Sequence, residues 1–352
     1  MPINGKSNIS RWFSPNYSFE LKSEIADFFI KRGLENDSFE NKVLAKAKDN
    51  GAQIFNNSYP LKFKWDEQNY VNNVIAKSNS KKIEIKPEFI IGADGVNSEV
   101  LKITGLSKTE KKYGMFYAYG AIGKSFDIPN EITHVFFDRN IAPGGYIYAL
   151  KNNNNKCVLG LGLDSWLTEK KIEQHYQMLL GHNKISKIIK KAKIKEYFGG
   201  IGKFGYLKNH SIGNIMLVGD AGRFVDPFLG FGLKQAIITG YISARVCKNV
   251  KDGITKNSIY LEYESAISNL KKQIKLGILF RKIYRKINNQ DIDIIIKILK
   301  NLNNEGLTLD YLFQKNNRLL FKHILKNGKT SSRIIYKSLP NIIEYLLKTH
   351  HM

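Results

Sequence analysis

One stretch constrains this chain more than any other: Gly213-Asn-Ile-Met-Leu-Val-Gly-Asp-Ala-Gly-Arg-Phe-Val-Asp-Pro-Phe-Leu-Gly-Phe-Gly-Leu-Lys-Gln-Ala-Ile-Ile-Thr-Gly240. Ile215–Val218 reads as a short buried strand, and Gly219-Asp220 stands at its carboxyl end. A loop with Pro227, Gly230 and Gly232 follows, and a helix begins near Phe231 with Leu233, Ala236, Ile237 and Gly240 along it. A parallel strand ending opposite a helix N-terminus is where α/β folds hold anionic or polar cofactors. Glycines let a flat or charged ligand approach the backbone. A carboxylate such as Asp220 can accept hydrogen bonds from sugar hydroxyls, and the free N–H groups of the helix end can stabilise negative charge.

A second box comes earlier. Glu88 to Ala93 is a continuous apolar run, as expected of a buried parallel strand, and it ends in Gly92-Ala93-Asp94-Gly95, followed by Ser98, Val100 and Lys102. Alone it is weak, because Asp-Gly is a common turn. Two such boxes in this order, separated by a strand-rich region, are much more specific.

These two stretches resemble the flavin-binding motifs of the group typified by aromatic hydroxylases, squalene epoxidases and geranylgeranyl reductases. The resemblance implies FAD as cofactor. It implies that Gly219, Asp220, Ala221, Pro227, Gly230, Phe231, Gly232 and Leu233 lie against it, with Ala93, Asp94 and Gly95 closing the site. A third stretch narrows the family. Pro143-Gly-Gly-Tyr-Ile-Tyr-Ala-Leu-Lys151 and Gly160-Leu-Gly162 resemble the geranylgeranyl-reductase signature, with Tyr146, Tyr148, Gly160 and Gly162 in the positions that place substrate over the flavin. What it implies is reduction of C=C bonds in prenyl chains by hydride transfer from reduced flavin. A flavin monooxygenase of the same fold, and a catalytically silent lipid- or partner-binding module, remain as alternatives. No residue stands out as proton donor; Tyr146 and Tyr148 are candidates by position only.

The expected fold class is mixed α/β. An incomplete Rossmann-like FAD-binding domain (1–110 and 206–250) carries an inserted antiparallel β-sheet substrate domain (111–205), and a helical region follows (251–352). The resemblance covers roughly residues 36–250. Family members begin with a strand and Gly-x-Gly-x-x-Gly, which this sequence does not contain. Losing that cradle removes several charged hydrogen bonds of about 1.5–3 kcal/mol each, so the expectation is weak FAD binding by this sequence alone.

Locally, Phe19 to Gly33 has Leu21, Ile25, Phe28 and Phe29 at helical spacing, and Phe39, Val43, Leu44 and Ala47 form another such stripe closed by Gly51. Alternation predicts strands over Gln53–Ser58, Leu61–Trp65, Tyr70–Ala76 and Lys82–Ile85. Leu167 to Ile189 reads as helix, Phe198–Tyr206 as irregular or extended, and everything after Ser258 as basic amphipathic helix interrupted at Pro340.

Composition sets outer limits. At 43% hydrophobic residues the chain can bury a large core. Cys157 and Cys247 form neither a disulfide framework nor a metal site, in keeping with a reducing compartment. No apolar run reaches the ~18–20 residues needed to span a membrane. The net charge of +24 is mostly lysine spread along the chain. It fits a compositional bias rich in Lys, Asn and Ile, or attraction to an anionic membrane surface, better than nucleic acid, for which no basic–aromatic stripe exists. The protein is expected in the cytoplasm, free or bound at the inner face of the membrane, with a hydrophobic prenyl-lipid substrate. NADPH and a ferredoxin-like protein are both open as electron donor.

Overall fold

The computed structural model describes residues 3–152, 154–251 and 259–304. In chain order the elements are β1 (Ile3–Phe13), β2 (Ser18–Ile30), α1 (Phe39–Asp49), β3 (Ser58–Trp65), β4 (Val71–Ser78), β5 (Lys81–Ile85), β6 (Ile90–Gly92) and α2 (Glu99–Ile103). Next come β7 (Lys111–Lys124), β8 (Ile132–Phe136), β9 (Tyr146–Lys151), β10 (Lys156–Asp164), α3 (Ile172–Leu180), α4 (Asn183–Ile189) and β11 (Lys193–Tyr206). The chain continues through β12 (Ser211–Ile212), β13 (Ile215–Leu217), α5 (Leu233–Lys251), α6 (Ile259–Ala266), α7 (Ser268–Tyr284) and α8 (Asn289–Asn304). The mixed α/β class is as expected, and among the described residues three helices follow Ser258; Pro340 lies outside the described residues.

The chain divides into two units. The first contains residues 1–52, 117–200 and 282–352; the second contains 53–116 and 201–281. The first unit is built on a seven-stranded sheet ordered β11-β7-β10-β9-β8-β1-β2. Along β9, Ile147 and Ala149 point into a core shared with Leu159, Leu161 and Leu163 of β10 and with Tyr176, Leu179 and Ile185 of α3 and α4. The intervening Tyr146 and Tyr148 therefore lie on the opposite face, as strand geometry requires.

The second unit holds two small sheets. One is the meander β3-β4-β5; the other is β12-β13-β6, in which β13 and β6 run parallel. Asn214 ties them together: its side chain accepts from the Val71 N–H at 2.9 Å and donates to the Val71 and Glu88 carbonyls. A core of Met216, Val218, Phe224, Val246, Tyr263, Ile274 and Ile278 joins β13 to α5, α6 and α7.

Three local expectations are corrected. Phe19–Ile30 is strand, not helix: Phe19 and Leu21 are buried while Glu20 and Lys22 are exposed, and β2 pairs antiparallel with β1. The i, i+4 spacing was outweighed by a distant backbone partner. Gln53–Asn57 forms no strand; β3 begins at Ser58. The Leu167–Ile189 helix is two helices broken at Gly181-His182, whereas the extended reading of Phe198–Tyr206 stands, as the end of strand β11. By contrast, α1 starts at the Ser38 cap, and Gly51 follows it in the left-handed region at φ +87°.

Candidate functional site

The two boxes are brought side by side. In the β6–β13 pair, Ile90 stands opposite Ile215, Ile91 opposite Met216 and Gly92 opposite Leu217, and the Val218 N–H donates to the Gly92 carbonyl at 2.9 Å. Both strands end together, so Ala93-Asp94-Gly95 and Gly219-Asp220-Ala221 leave the sheet at the same edge. Gly92 is obligatory, since a Cβ there would fall 2.8 Å from Leu217 Cδ2 and 2.9 Å from Val100 Cγ1. Gly219 turns the chain at φ +53° and donates its N–H to Thr239 Oγ1 on α5 at 3.0 Å, which fixes the strand end against the helix.

The loop that follows aims α5. Asp226 Oδ1 accepts from the Phe228 and Leu229 N–H groups at 2.8 and 2.7 Å, and its carbonyl accepts from the N–H of Gly230, which sits at φ +77°. Gly232 then passes close to the Asp220 carboxylate: a Cβ there would be 3.0 Å from Asp220 Oδ1. Phe231 is 58% exposed and Leu229 36% exposed, so apolar surface lies beside the amino end of a 19-residue helix. A carboxylate, the amino end of a helix, left-handed glycines and exposed apolar side chains together suit a flat ligand with hydroxyls and negative charge. The residues present fit FAD. Asp220, the Gly230–Leu233 backbone and Ala93–Gly95 are the residues that could hold it.

Asp94 also has a structural part. Its carboxylate accepts from Ser98 Oγ at 2.5 Å and from the Glu99 and Val100 N–H groups at 2.7 and 3.0 Å, while Ser98 Oγ accepts from the Leu101 N–H. Asp94 therefore caps α2 together with Ser98, and Gly95 follows it in the left-handed region at φ +77°.

Sequence reasoning missed Arg223 and Glu110. Arg223 sits at φ +58°, 5% exposed, with Nε 2.7 Å from Glu110 Oε1 and Nη1 donating to the carbonyls of Val96 (3.1 Å) and Asp220 (2.9 Å). One guanidinium thus ties the first box to the second. The signal available was a single charge in an otherwise apolar run, Ala221 to Val225.

The four substrate candidates meet in the first unit, in the β9–β10 hairpin. Tyr148 pairs with Gly160 and Tyr146 with Gly162. The Tyr148 ring lies over Gly160, where a Cβ would fall 2.6 Å from its Cζ and hydroxyl. Burial pushes the Tyr148 phenol up to about 12, so it keeps its proton across neutral pH. Tyr146 packs at 6.1 Å from Phe137 and 6.3 Å from Tyr148 between ring centroids. Gly145 is enforced just before them, because a Cβ there would meet the Gly162 carbonyl at 1.9 Å. Neither cysteine forms a disulfide; Cys157 is buried in the core and Cys247 partly buried. Among the described residues no His, Cys, Asp and Glu cluster could hold a metal ion.

Comparison with known proteins gives the same direction. The chain is 26% identical over 324 residues to the digeranylgeranylglycerophospholipid reductase of Methanosarcina acetivorans, a match spanning 89% of this chain and 78% of that protein. Among solved structures it is similar to a geranylgeranyl bacteriochlorophyll reductase-like protein from Thermoplasma acidophilum, with a TM-score of 0.75 and 19% identity, covering 96% of this chain and 83% of that one. The flavin-dependent brominase Bmp2 is more distant, with a TM-score of 0.62 and 14% identity, covering 97% of this chain and 83% of that one. A family model described as FAD binding domain matches residues 32–274, which include both boxes and the hairpin between them, and the chain belongs to that FAD-binding family.

Proposed function

We propose that this chain is an FAD-dependent reductase acting on the isolated C=C bonds of prenyl chains in a lipid substrate. The observation that carries the reading is the β9–β10 register, in which Tyr148 lies across Gly160 and Tyr146 stands opposite Gly162. The pairing leaves an aromatic, glycine-floored strip on the sheet face away from the core, and such a strip suits a long apolar chain. The relatives named for digeranylgeranylglycerophospholipid support the same substrate class.

FAD supplies the hydride when reduced. The protein's own part is to position and to keep water out. Asp220 and the amino end of α5 hold the cofactor's polar groups, and Tyr146 and Tyr148 hold the apolar chain. NADPH or a ferredoxin-like protein supplies the electrons. The lysine excess would draw the chain to an anionic membrane surface that holds prenyl lipid. No described helix is long and apolar enough to cross a membrane.

The test is anaerobic incubation of the purified chain with dithionite-reduced FAD and vesicles of digeranylgeranylglycerol phospholipid, read by mass spectrometry of the lipid. The expected result is a gain of two hydrogens per reduced bond. Oxygen incorporation in air with no anaerobic hydrogenation would overturn the reductase reading in favour of a monooxygenase.

A further inference from the structure

The helix α7 reaches past the residues matched by the FAD-binding family, and the part beyond that match touches the cofactor loop. Arg281 is 3% exposed. Its Nε donates to the Pro227 carbonyl at 2.6 Å and its Nη2 to the Phe228 carbonyl at 2.8 Å. The guanidinium lies 4.4 Å from the centroid of the Phe204 ring. One turn earlier, Gly277 makes room for the loop, since a Cβ there would fall 2.8 Å from Pro227 Cδ. Phe280 packs on Phe228 with ring centroids 5.8 Å apart.

We propose that Arg281, with Gly277, is a positioning residue for the flavin: a two-pronged clip that fixes the Asp226–Gly232 loop and through it the aim of α5. The inference rests on the reading of Gly219–Leu233 as flavin-facing. The loop's inner bonds, Asp226 Oδ1 to the Phe228 and Leu229 amides and the Asp226 carbonyl to the Gly230 amide, leave the Pro227 and Phe228 carbonyls pointing the other way. Arg281 takes both. A planar guanidinium can satisfy two adjacent carbonyls while its face stacks on an aromatic ring; an ammonium cannot do all three. The clip thus needs arginine, and the helix needs glycine one turn before it.

The experiment compares the parent chain with Arg281→Lys, Arg281→Gln and Gly277→Ala. Hydrogen–deuterium exchange is read over Phe228–Leu233 without cofactor, and FAD affinity is read by visible absorption with added FAD. Exchange in the loop is expected to rise at least about tenfold in all three variants, with α5 and β13 unchanged beyond it. FAD affinity is expected to fall by a similar factor. Should Arg281→Gln fail to fold, Arg281→Lys and Gly277→Ala decide. Gly277→Ala is the sharper of the two, because alanine should otherwise favour the helix. A folded Arg281→Lys or Gly277→Ala whose loop amides exchange as in the parent would overturn the clip. Faster loop exchange with unaltered FAD affinity would instead overturn the flavin-facing reading of the loop, and the positioning role with it.

Discussion

Replacing Arg223 should expose how the two flavin boxes are held together. The side chain is 5% exposed and its partner Glu110 has a side chain 6% exposed, with the charged atoms 2.7 Å apart. Removing one member of a buried pair leaves the other charged and unpaired, which costs about 3–5 kcal/mol. Arg223→Ala should lose this much, and it also loses the bonds to the Val96 and Asp220 carbonyls. The backbone adds a second effect of opposite sign. Arg223 stands at φ +58°, where a residue with a Cβ is strained by about 1 kcal/mol and glycine is not. Arg223→Gly should therefore be about 1 kcal/mol less destabilised than Arg223→Ala. Replacing both charges, as in Arg223→Met with Glu110→Leu, should recover most of the loss, because apolar groups of similar size can replace a buried pair. The assay is urea unfolding at one pH of Arg223→Ala and Arg223→Gly, and of the double-mutant cycle made by Arg223→Met, Glu110→Leu and the two together. A coupling below about 0.5 kcal/mol, or an alanine variant as stable as the glycine variant, would refute the reasoning.

Three further outcomes follow from the geometry. Gly160→Ala puts a methyl 2.6 Å from Tyr148 Cζ and should displace that ring, at about 1–3 kcal/mol of overpacking; a raised KM for prenyl lipid with little change in FAD affinity checks it. Asp94→Ala uncaps α2 and should cost about 1–2 kcal/mol in chemical denaturation, while Asp94→Asn, which keeps one acceptor, should cost less. Burial pushes the Glu264 carboxyl up, but the His210 side chain, the Lys271 ammonium and the His210 backbone N–H outweigh it and bring it down to about 2. Its folded value lies below its ordinary 4.5, so its stabilisation is complete above that pH and is lost as pH falls toward 2. Glu264→Gln should thus lose about 2–3 kcal/mol at pH 7 and show a flatter stability profile between pH 4.5 and 2; an unchanged acid limb would contradict this.

The parts legible in the sequence were those whose chemistry is local. A strand, a left-handed glycine and a helix start are each specified by adjacent residues, so Ile215–Leu233 and Ile90–Gly95 could be read, whereas their side-by-side pairing came only from the structure. The Tyr146–Gly162 spacing was readable because a hairpin register is set by its turn. Residues 19–30 were misread because the spacing of Leu21, Ile25 and Phe29 satisfies a helix equally well, and only pairing with β1 decides. The part of Asp94 in capping α2 was not legible because a motif names a residue without naming its partner. Arg281 and Glu110 were invisible because each acts on a residue 54 or 113 positions away, with no periodicity to mark it.

The central claim is that the Gly92–Gly95 and Gly219–Leu233 loops form one flavin site. Titration of the purified chain with FAD, followed by visible absorption, tests it most directly. The account predicts saturable binding at one FAD per chain, with a perturbed flavin band, abolished by Gly232→Val, which drives a side chain into the Asp220 carboxylate. Absence of saturable binding up to about 1 mM free FAD, a range that detects binding stronger than about 4 kcal/mol, or equal binding by Gly232→Val, would contradict it.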